Sequence, residues 1–491
     1  MLNQIKRLTQ HSLVYGIGHI LSRFLGFLLL PIHTHFLQPD VYAVAALLFS
    51  SLAILNIFFS YGLDVAFMRY FVLADGKEEK QRLFSTAFWM ILGTGLLFAL
   101  NLISFPVFFS KLIFRSADYP GLIRMAAGIL FADALTLLPF LALRAEERSV
   151  RFIVFKTLNI VINLGMNILL VAVLKKGLHG IFLSNLAASG ATLILLIPVI
   201  RPWLAPVFLK DRLKSLLAFG LPYIPSALSV ILMDQVSRFF LDRMMGKEAT
   251  GIFSASYKLG MFMALVVAAF RFAWHPFFLS VSKQDNAPRI YARVLTYFLL
   301  VLGVCHLTIA FFLREIIRIS LFGIRLFGEG FEAGLGIVPV VMLAYVFYGL
   351  YVNFVVGIYL KKKSRLLPAV TGVGCLTSLI GNAVLIRTSG LTGAAWASVL
   401  AYAVMAGTLY VVNRRLIRIP YEWGRIIRLI LIWILIYAAG SVWMSGPHAG
   451  VRILLILSLF PLLRLVGFWN TEEKAWIKRA VFIRFGWNRS K

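Results

Sequence analysis

Apolar runs long enough to cross a bilayer recur along the whole chain, and they constrain its fold more than any other feature. About 20 consecutive apolar residues span the hydrocarbon core as an α-helix, which pairs every backbone polar group internally. The hydrophobic share of 60% and the mean hydropathy of +0.87 exceed those of soluble domains. The sequence therefore predicts an all-α polytopic membrane protein with about fourteen transmembrane helices. These are expected at 12–32, 41–63, 83–105, 121–142, 152–173, 179–200, 215–240, 249–273, 291–313, 333–360, 366–387, 391–412, 426–443 and 450–468.

The positive charge of the chain lies between the apolar runs. A net charge of +29 would suggest nucleic-acid binding in a soluble protein, but here Lys and Arg occupy alternate connections. The positive-inside rule predicts that these connections and both termini are cytoplasmic, in a bacterial or archaeal inner membrane, with no nucleic-acid partner. The basic connections are Lys77–Arg82, Arg144–Arg151, Arg201–Lys214, Lys283–Arg293, Lys361–Arg365 and Arg414–Arg418.

Several classes of function lack the sequence features that they need. The chain contains no G-x-x-x-x-G-K-[ST] phosphate loop and no H-E-x-x-H helix, and its loops are too short for a soluble catalytic domain. Cys305 and Cys375 fall inside predicted spans, so neither a disulfide nor a metal pair is expected. We therefore expect neither an enzyme nor an ATP-driven pump, and no cofactor. The first apolar segment is expected to stay uncleaved, because it is long and Arg23 interrupts it.

A weak internal repeat divides the chain. HFLQPDVYAVAALLFSSL after the first span aligns with RMMGKEATGIFSASYKLG after the seventh, and LHGIFLSNL before the sixth resembles LTGAAWASVL before the twelfth. Six spans per repeat give two lobes of the same orientation, related by an axis along the membrane normal. The predicted domains are a six-helix lobe at 1–200, a cytoplasmic linker at 201–214, a second six-helix lobe at 215–418, and two extra helices with a basic tail at 419–491. Two such lobes with a cleft between them are typical of an alternating-access transporter.

Two segments resemble one family. LSRFLGFLLLPIHTHFLQPDVYAVAALLFSSLAILNIFFSYGLDVAFMRYF is similar to the opening of the polysaccharide transport family in the MOP exporter superfamily, the Wzx-type flippases of O-antigen and exopolysaccharide precursors. FGLPYIPSALSVILMDQVSRFFLDRMMGKEATGIFSASYKLG resembles the seventh and eighth helices of that family. The resemblance implies a flippase that carries an undecaprenyl-diphosphate-linked oligosaccharide from the cytoplasmic to the outer leaflet. Relatives often have an acidic residue directly before the arginine of the second segment, where this chain has Ser237, so a local ion pair must use Asp234.

Ionisable residues inside the predicted spans are the first site candidates, because a charge in hydrocarbon is costly and usually functional. His19 and Arg23 share one face of the first span at i, i+4 spacing. Arg23 is a candidate cation for the diphosphate, and Asp133 in the fourth span is its candidate partner. A purely structural Arg23–Asp133 pair remains an equal alternative, and His19 is expected to be polar lining.

Further candidates lie in the second lobe and in the fifth span. Lys258 is predicted to be a cavity cation, because it lies about ten residues inside its span, too deep for its amine to reach the interface. The alternative is a structural tie to the Asp234 region of the preceding helix. Asp234, Arg238 and Asp242 form an i, i+4 ladder that favours structural pairing. Asn163 shares a helix face with Asn159 and Asn167, and such amides bind sugar hydroxyls or join helices. Arg69 and Arg271 are expected at the cytoplasmic rim, where they recruit diphosphate or extend to the interface.

The resemblance implies a lipid-linked oligosaccharide as cargo, with membrane lipids, a polysaccharide polymerase and other assembly proteins as partners. We expect a monomer that is coupled to an H⁺ or Na⁺ gradient or to the membrane potential. The alternatives are a multidrug or metabolite exporter of the same superfamily, a lipid II flippase, and, less favoured, a membrane polysaccharide polymerase or ligase.

Overall fold

A computed structural model describes residues 27–321, 323–442, 448–470 and 473, and nearly all of them are helical. The chain divides into two compact units. Unit 1 combines the described residues up to Ser280 with Arg318–Ile417, and unit 2 combines Val281–Ile317 with the described residues from Arg418 onward.

The first half of unit 1 is a series of helices joined by short connections. The elements are α1 (Phe27–Phe36), α2 (Pro39–Ser60), α3 (Leu63–Leu73), α4 (Gly76–Ser104), α5 (Pro106–Phe114), α6 (Pro120–Ala145), α7 (Ser149–Asn167, extended by a π-helical turn at Ile168–Val173), α8 (Gly177–Leu195) and α9 (Ile197–Ile200). The pairs α2 with α3 and α8 with α9 each form one continuous apolar span.

The second half of unit 1 repeats this pattern and lacks one long helix, which belongs to unit 2. It also includes a two-residue hairpin and a 3₁₀ helix. The elements are α10 (Lys210–Gly220), α11 (Ile224–Met244), α12 (Lys247–Gly260), α13 (Phe262–Val281), β1 (Ser320–Leu321), β2 (Ile324–Arg325), a 3₁₀ helix (Glu329–Ile337), α15 (Val338–Phe354), α16 (Val356–Leu360) and α17 (Leu367–Leu416).

Unit 2 consists of α14 (Ala287–Arg318), α18 (Trp423–Ser441) and α19 (Ala449–Leu465). Arg452 of α19 is 1% exposed, donates to the Phe311 carbonyl at 2.7 Å and pairs with Glu315. These contacts fix α19 to α14, because a buried guanidinium without partners would be strongly destabilising. The ninth predicted span thus groups with the two final helices, whereas the predicted domains placed it at 215–418.

The prediction of an all-α membrane protein with about fourteen spans is confirmed. In the described part of the chain, eleven helices are long and apolar enough to cross a membrane. The helix α17 contains two predicted spans, which meet at Gly390, where φ is 54° and ψ is −129°. The last predicted span corresponds to the shorter helix α19. The first, 12–32, lies outside the described residues except for its end, which falls in α1.

Close backbone contacts join the two halves of unit 1 at two places. At the end that carries the basic connections, a Cβ on Gly62 would lie 2.3 Å from the Gly220 carbonyl oxygen. At the opposite end, a Cβ on Gly251 would lie 1.7 Å from the Pro39 carbonyl oxygen. Each distance is shorter than any real Cβ contact, so only glycine permits α3 to meet α10 and α2 to meet α12 in this way. We call these contacts the inner and outer closures.

The segment between β2 and α15 also contributes to the end of unit 1 that holds the outer closure. The backbone N–H of Gly328 donates to Oγ1 of Thr34 at 3.1 Å. The ring of Phe331 packs edge to face on Tyr42, with centroids 5.6 Å apart. This segment of the second half therefore rests on α1 and α2 of the first.

Candidate functional site

Two cavities lie between the helices of unit 1, and both are lined by Phe49 and Asn185. The smaller one, of about 360 Å³, is lined by Arg238 and Lys258, and we call it the cationic cavity. The larger one, of about 880 Å³, is lined by Tyr348, Tyr351 and Tyr359 among others, and we call it the tyrosine cavity. Because the first half of unit 1 also lines both, the site lies between the two halves.

Lys258 reaches the cationic cavity from α12. Lys258 and Ser254 are four residues apart, so both side chains fall on the helix face that lines the cavity. Small residues such as Gly251 let α12 approach α2 closely. In the part of the chain that the structure describes, Lys258 has no acidic partner. A half-buried ammonium without an acidic partner is suited to binding an anion.

Arg238 lines the same cavity and is 7% exposed. Its Nη1 donates to the backbone carbonyl of Asp234 at 2.7 Å and to Oε1 of Gln235 at 3.0 Å. The guanidinium also lies 5.0 Å from the ring centroid of Tyr257. The expected ion pair of Arg238 with Asp234 or Asp242 is wrong, because the guanidinium folds back on its own helix and bonds the main chain. Nε and Nη2 make no hydrogen bond to described residues, so they remain available to a ligand.

The opposite wall of the cationic cavity consists of amides and an imidazole. Nε2 of His33 is 2.9 Å from Oδ1 of Asn167, and Nδ2 of Asn167 donates to Oδ1 of Asn163 at 2.9 Å. Asn159 donates to Oγ1 of Thr192 at 2.8 Å and thereby joins α7 to α8. Asn159 therefore joins helices, and both Asn159 and Asn163 line the cavity. The binding of sugar hydroxyls by these amides stays a prediction.

Asp234 does not line either cavity. Its carboxylate accepts hydrogen bonds from three phenols, those of Tyr402 at 2.5 Å, Tyr345 at 3.1 Å and Tyr257 at 3.3 Å. The carboxylate thus joins α11 to α12, α15 and α17, because each phenol belongs to a different helix. This arrangement makes Asp234 a structural centre of the second half.

The tyrosine cavity contains charges of both signs. Nη1 of Arg271 donates to the hydroxyl of Tyr348 at 3.2 Å, and the rings of Tyr348 and Tyr351 stack at 6.0 Å. Asp133 accepts a hydrogen bond from Ser189 and is within electrostatic reach of Lys156. Stacked rings, a guanidinium and a carboxylate together suit a polyhydroxylated ligand.

The structure thus distributes the predicted site residues over several places. Arg69 lies apart from both cavities, exposed, with its guanidinium 4.5 Å from the ring centroid of Phe219, whereas Arg271 enters the tyrosine cavity. Arg23 and His19 lie outside the described residues, so the Arg23–Asp133 pair stays a prediction. The structure groups the others as Lys258, Arg238 and Asn163 in the cationic cavity and Asp133 and Arg271 in the tyrosine cavity.

Sequence reasoning misses three polar residues. The pattern of apolar runs predicts a loop at His33, but α1 continues to Phe36 and buries this histidine to 2% exposure. Gln235 is inconspicuous beside Asp234, although it orients Arg238 and accepts a hydrogen bond from Ser50 at 2.9 Å. Lys156 lies within an apolar run, and its ammonium is 4.1 Å from the ring centroid of Phe140. For Lys156 the available signal is the same as for Lys258, a lysine within a predicted span.

Comparison with known sequences settles the family. The sequence profile described as "Polysaccharide biosynthesis protein" matches residues 8–282, which is more than half of the chain. The chain belongs to this family. Among curated proteins, no sequence matches this one significantly. The resemblance predicted from the two quoted segments is therefore confirmed, and this family member shares the MOP superfamily fold with the solved structures that follow.

Solved structures support the fold over most of the length of this family member. The lipid II flippase MurJ in an inward closed conformation matches with a TM-score of 0.71 and 14% identity, over 92% of this chain and 98% of that one. An inward-facing multidrug resistance MATE family transporter of the MOP superfamily matches with a TM-score of 0.62 and 15% identity, over 80% and 94%. A mutant of the Vibrio cholerae MATE transporter VcmN matches with a TM-score of 0.61 and 15% identity, over 84% and 96%. The fold is that of a MOP superfamily transporter.

Proposed function

We propose that this protein is a flippase for an undecaprenyl-diphosphate-linked oligosaccharide, which it moves from the cytoplasmic to the outer leaflet of a bacterial or archaeal inner membrane. The observation that carries this proposal is the pair of cations in the cationic cavity. Lys258 and Arg238 line one small space with no carboxylate among its described lining residues. A diphosphate supplies the negative charge that this cavity lacks.

The chemistry of the cargo explains why such a cavity is required. Moving an unpaired anion into hydrocarbon costs on the order of tens of kcal/mol by Born solvation, so a bare diphosphate head group does not cross at a useful rate. A guanidinium forms bidentate hydrogen bonds with phosphate oxygens, and an ammonium adds a point charge. Arg238 and Lys258 therefore replace the water that the head group leaves.

The tyrosine cavity has the size and chemistry for the glycan. Its volume is about 880 Å³, within the range of sites that enclose small ligands. Stacked phenol rings pack against the apolar faces of sugars, while Arg271 and Asp133 donate to and accept from hydroxyl groups. Because Asn185 and Phe49 line both cavities, the diphosphate and its sugars would lie in adjacent spaces.

The two closures suggest how access alternates. Both are glycine contacts between the two halves of unit 1, so opening one while keeping the other would expose the cavities to one side at a time. The positive-inside rule places the basic connections, and with them the inner closure, at the cytoplasmic face. An inside-negative membrane potential would favour outward movement of the anion by ~2.3 kcal/mol per charge per 100 mV.

A lipid II flippase is the second candidate, favoured by the similarity in fold to MurJ. Its cargo would have the same diphosphate and polyprenyl tail, so the cationic cavity fits it equally well. The difference between the two candidates lies in the glycan, which concerns the tyrosine cavity. A multidrug exporter is less well supported, since a cavity with two unpaired cations suits anionic ligands.

The test uses the full-length protein in liposomes with a fluorescent short-chain polyprenyl-diphosphate-N-acetylglucosamine as probe. We expect the wild type to translocate the probe, Lys258→Gln to lose at least about tenfold in rate, and Lys175→Gln, an exposed lysine outside both cavities, to match the wild type. The tenfold figure follows from a charge-assisted hydrogen bond of about 1.5–3 kcal/mol. No translocation by the wild type, or equal rates for both variants, would falsify the proposal.

The same liposomes distinguish the candidates. Adding a pentapeptide to the sugar of the probe converts it into a lipid II analogue. Preference for that analogue over an oligosaccharide probe would favour the second candidate, and the reverse preference would favour the first.

A further inference from the structure

A third concave site lies away from both cavities, at the end of unit 1 that carries the basic connections. It has a volume of about 450 Å³ and is formed by three segments that are distant in sequence. These are the start of α4, the turn between α6 and α7, and the start of the segment that joins the two halves of unit 1. We call it the basic pocket, and its charged or aromatic lining residues are Lys77, Lys80, Glu146, Arg148, Arg151 and Trp203.

The charge of the basic pocket is unbalanced. Glu146 is the one acidic residue among the described lining residues, and its carboxylate is 2.9 Å from Nε of Arg148. Lys77, Lys80 and Arg151 have no acidic partner in the described ranges. Topology requires these cations to be on one side of the membrane, but it does not require them to converge on one concavity. Lys80 also lies 5.6 Å from the ring centroid of Phe71. Three converging cations without an acidic partner suit an anionic ligand.

The helix ends at this pocket add to the positive potential. Arg148 is the N-cap residue of α7, where Ser, Thr, Asp or Asn is favoured, and it makes no side-chain cap hydrogen bond. Arg151 lies in the first turn of that helix. Cations at the positive end of a helix dipole are destabilising unless an anion compensates them. The basic pocket therefore adds the positive end of the α7 dipole to the charge of its basic side chains.

Pro198, Val199 and Pro202 line the basic pocket beside Trp203, and exposed apolar residues flank its basic residues in the sequence. Leu73, just before α4, is 67% exposed, and Val150, next to Arg151, is 71% exposed. Trp203 is 8% exposed, and its ring packs edge to face on Phe71 at 5.2 Å. Tryptophan and exposed aliphatic residues beside clustered cations are typical of the level at which lipid head groups meet acyl chains. A free phosphate would make no favourable contact with these apolar side chains.

We propose that the basic pocket binds the phosphate of an anionic phospholipid whose acyl chains run along Leu73 and Val150. Lys77, Lys80 and Arg151 hold the phosphate oxygens, and the turn at Glu146 and the ring of Trp203 bound the site.

The segment that joins the two halves of unit 1 is hydrogen-bonded to α4 beside the basic pocket, so a lipid bound there would affect how the halves are held together. Oγ of Ser85 on α4 donates to the carbonyl of Trp203 at 2.9 Å and accepts from the N–H of Ala205 at 2.8 Å. Thr86 accepts from the N–H of Leu209 at 3.2 Å. The segment is thus fixed to α4 directly beside the basic pocket, and a lipid that bridges α4, α7 and Trp203 strengthens that attachment.

The experiment measures lipid binding to the purified full-length protein in neutral detergent, by native mass spectrometry and by thermal unfolding. The ligands are dioleoyl phosphatidylglycerol, dioleoyl phosphatidylcholine with the same tails, and inorganic phosphate. The pocket variant is Lys77→Gln with Arg151→Gln, both exposed in the structure. The matched control is Lys361→Gln with Lys363→Gln, which removes the same charge from another basic connection.

We expect phosphatidylglycerol to bind and to raise the unfolding temperature, with the pocket variant at least about tenfold weaker in apparent affinity and the control unchanged. Equal loss in the control, or undiminished binding in the pocket variant, would show that only diffuse surface charge is involved and would overturn the proposal. Equal binding of phosphatidylcholine would overturn the anion assignment, and full reproduction by inorganic phosphate would overturn the lipid assignment. If the pocket variant fails to fold, Lys80→Gln alone replaces it, with an expected loss of about threefold.

Discussion

The two cavities of unit 1 differ in charge more than in size. The cationic cavity has less than half the volume of its neighbour, yet it holds Lys258 and Arg238 without a carboxylate among its described lining residues. The tyrosine cavity holds Asp64 and Asp133 as well as Arg271. An anion is therefore stabilised in the smaller space, while the larger one offers donors and acceptors of both signs.

Under the proposed function, the charged part of the cargo occupies the smaller of the two cavities and the glycan the larger one. A diphosphate is small and needs concentrated positive charge, whereas an oligosaccharide is bulky and needs many weak contacts. Each cavity also has its own closure. Gly62 of the inner closure lines the tyrosine cavity, and Gly251 of the outer closure lies one turn before Ser254 of the cationic cavity.

The largest expected effect comes from removing charge from each cavity in turn. Arg238→Gln with Lys258→Gln should reduce translocation of the diphosphate probe at least about a hundredfold, because each lost charge-assisted hydrogen bond is worth about 1.5–3 kcal/mol. Asp64→Asn with Asp133→Asn in the tyrosine cavity should cost less than about tenfold. Initial translocation rates in liposomes, normalised to the folded protein, provide the measurement. Equal losses for the two double variants would contradict the assignment of the diphosphate to the cationic cavity.

An intermediate effect is expected at the closures. Gly251→Ala should force Pro39 away and make Ser254→Cys react about fivefold faster with a water-soluble thiol reagent, in a background lacking Cys305 and Cys375. Gly220→Ala should instead accelerate labelling of a cysteine that replaces Ser226, which lines the tyrosine cavity.

The matched control for both closures is Gly372→Ala. A Cβ at that position meets no atom within 4 Å, so neither labelling rate should change. If Gly251→Ala and Gly220→Ala accelerate both cysteines equally, the cavities share one closure and the assignment of one to each is wrong.

The smallest expected effect separates the tyrosines that line the cavity from those that bind Asp234. Tyr348→Phe removes the acceptor of Arg271, so an oligosaccharide probe should move about two- to fivefold more slowly while a monosaccharide probe is unaffected. Tyr345→Phe should spare both rates and lower the unfolding temperature, because Tyr345 is 3% exposed and donates to Asp234. Loss of transport in Tyr345→Phe with unchanged stability would contradict this division.

The sequence predicts much of this arrangement because charge inside an apolar run is a local signal. Lys258 is recognisable without any knowledge of its neighbours, and so are Asp133 and the fold class itself. The direction of a side chain is not a local property, which is why the ladder of Asp234, Arg238 and Asp242 is misleading. The i, i+4 spacing permits an ion pair, but three phenols from distant helices compete for Asp234, and only the folded chain brings them there.

The sequence likewise does not predict the inner and outer closures. Gly62 and Gly251 are two of many glycines in the apolar runs, and the residues around them do not distinguish them from glycines that make no close contact. Their importance comes from a backbone of the other half passing within contact distance. The same holds for His33, whose burial depends on how far α1 continues.

The buried guanidinium of Arg452 sets an order of events during synthesis. Its partners Glu315 and Phe311 belong to α14 and precede it in the chain by 137 and 141 residues. At a synthesis rate of about 5–20 residues per second, α19 is made on the order of ten to thirty seconds after α14. During that interval Glu315 must be accommodated without its arginine. The nascent chain therefore passes through a stage in which most of its helices are already made while unit 2 still lacks α19.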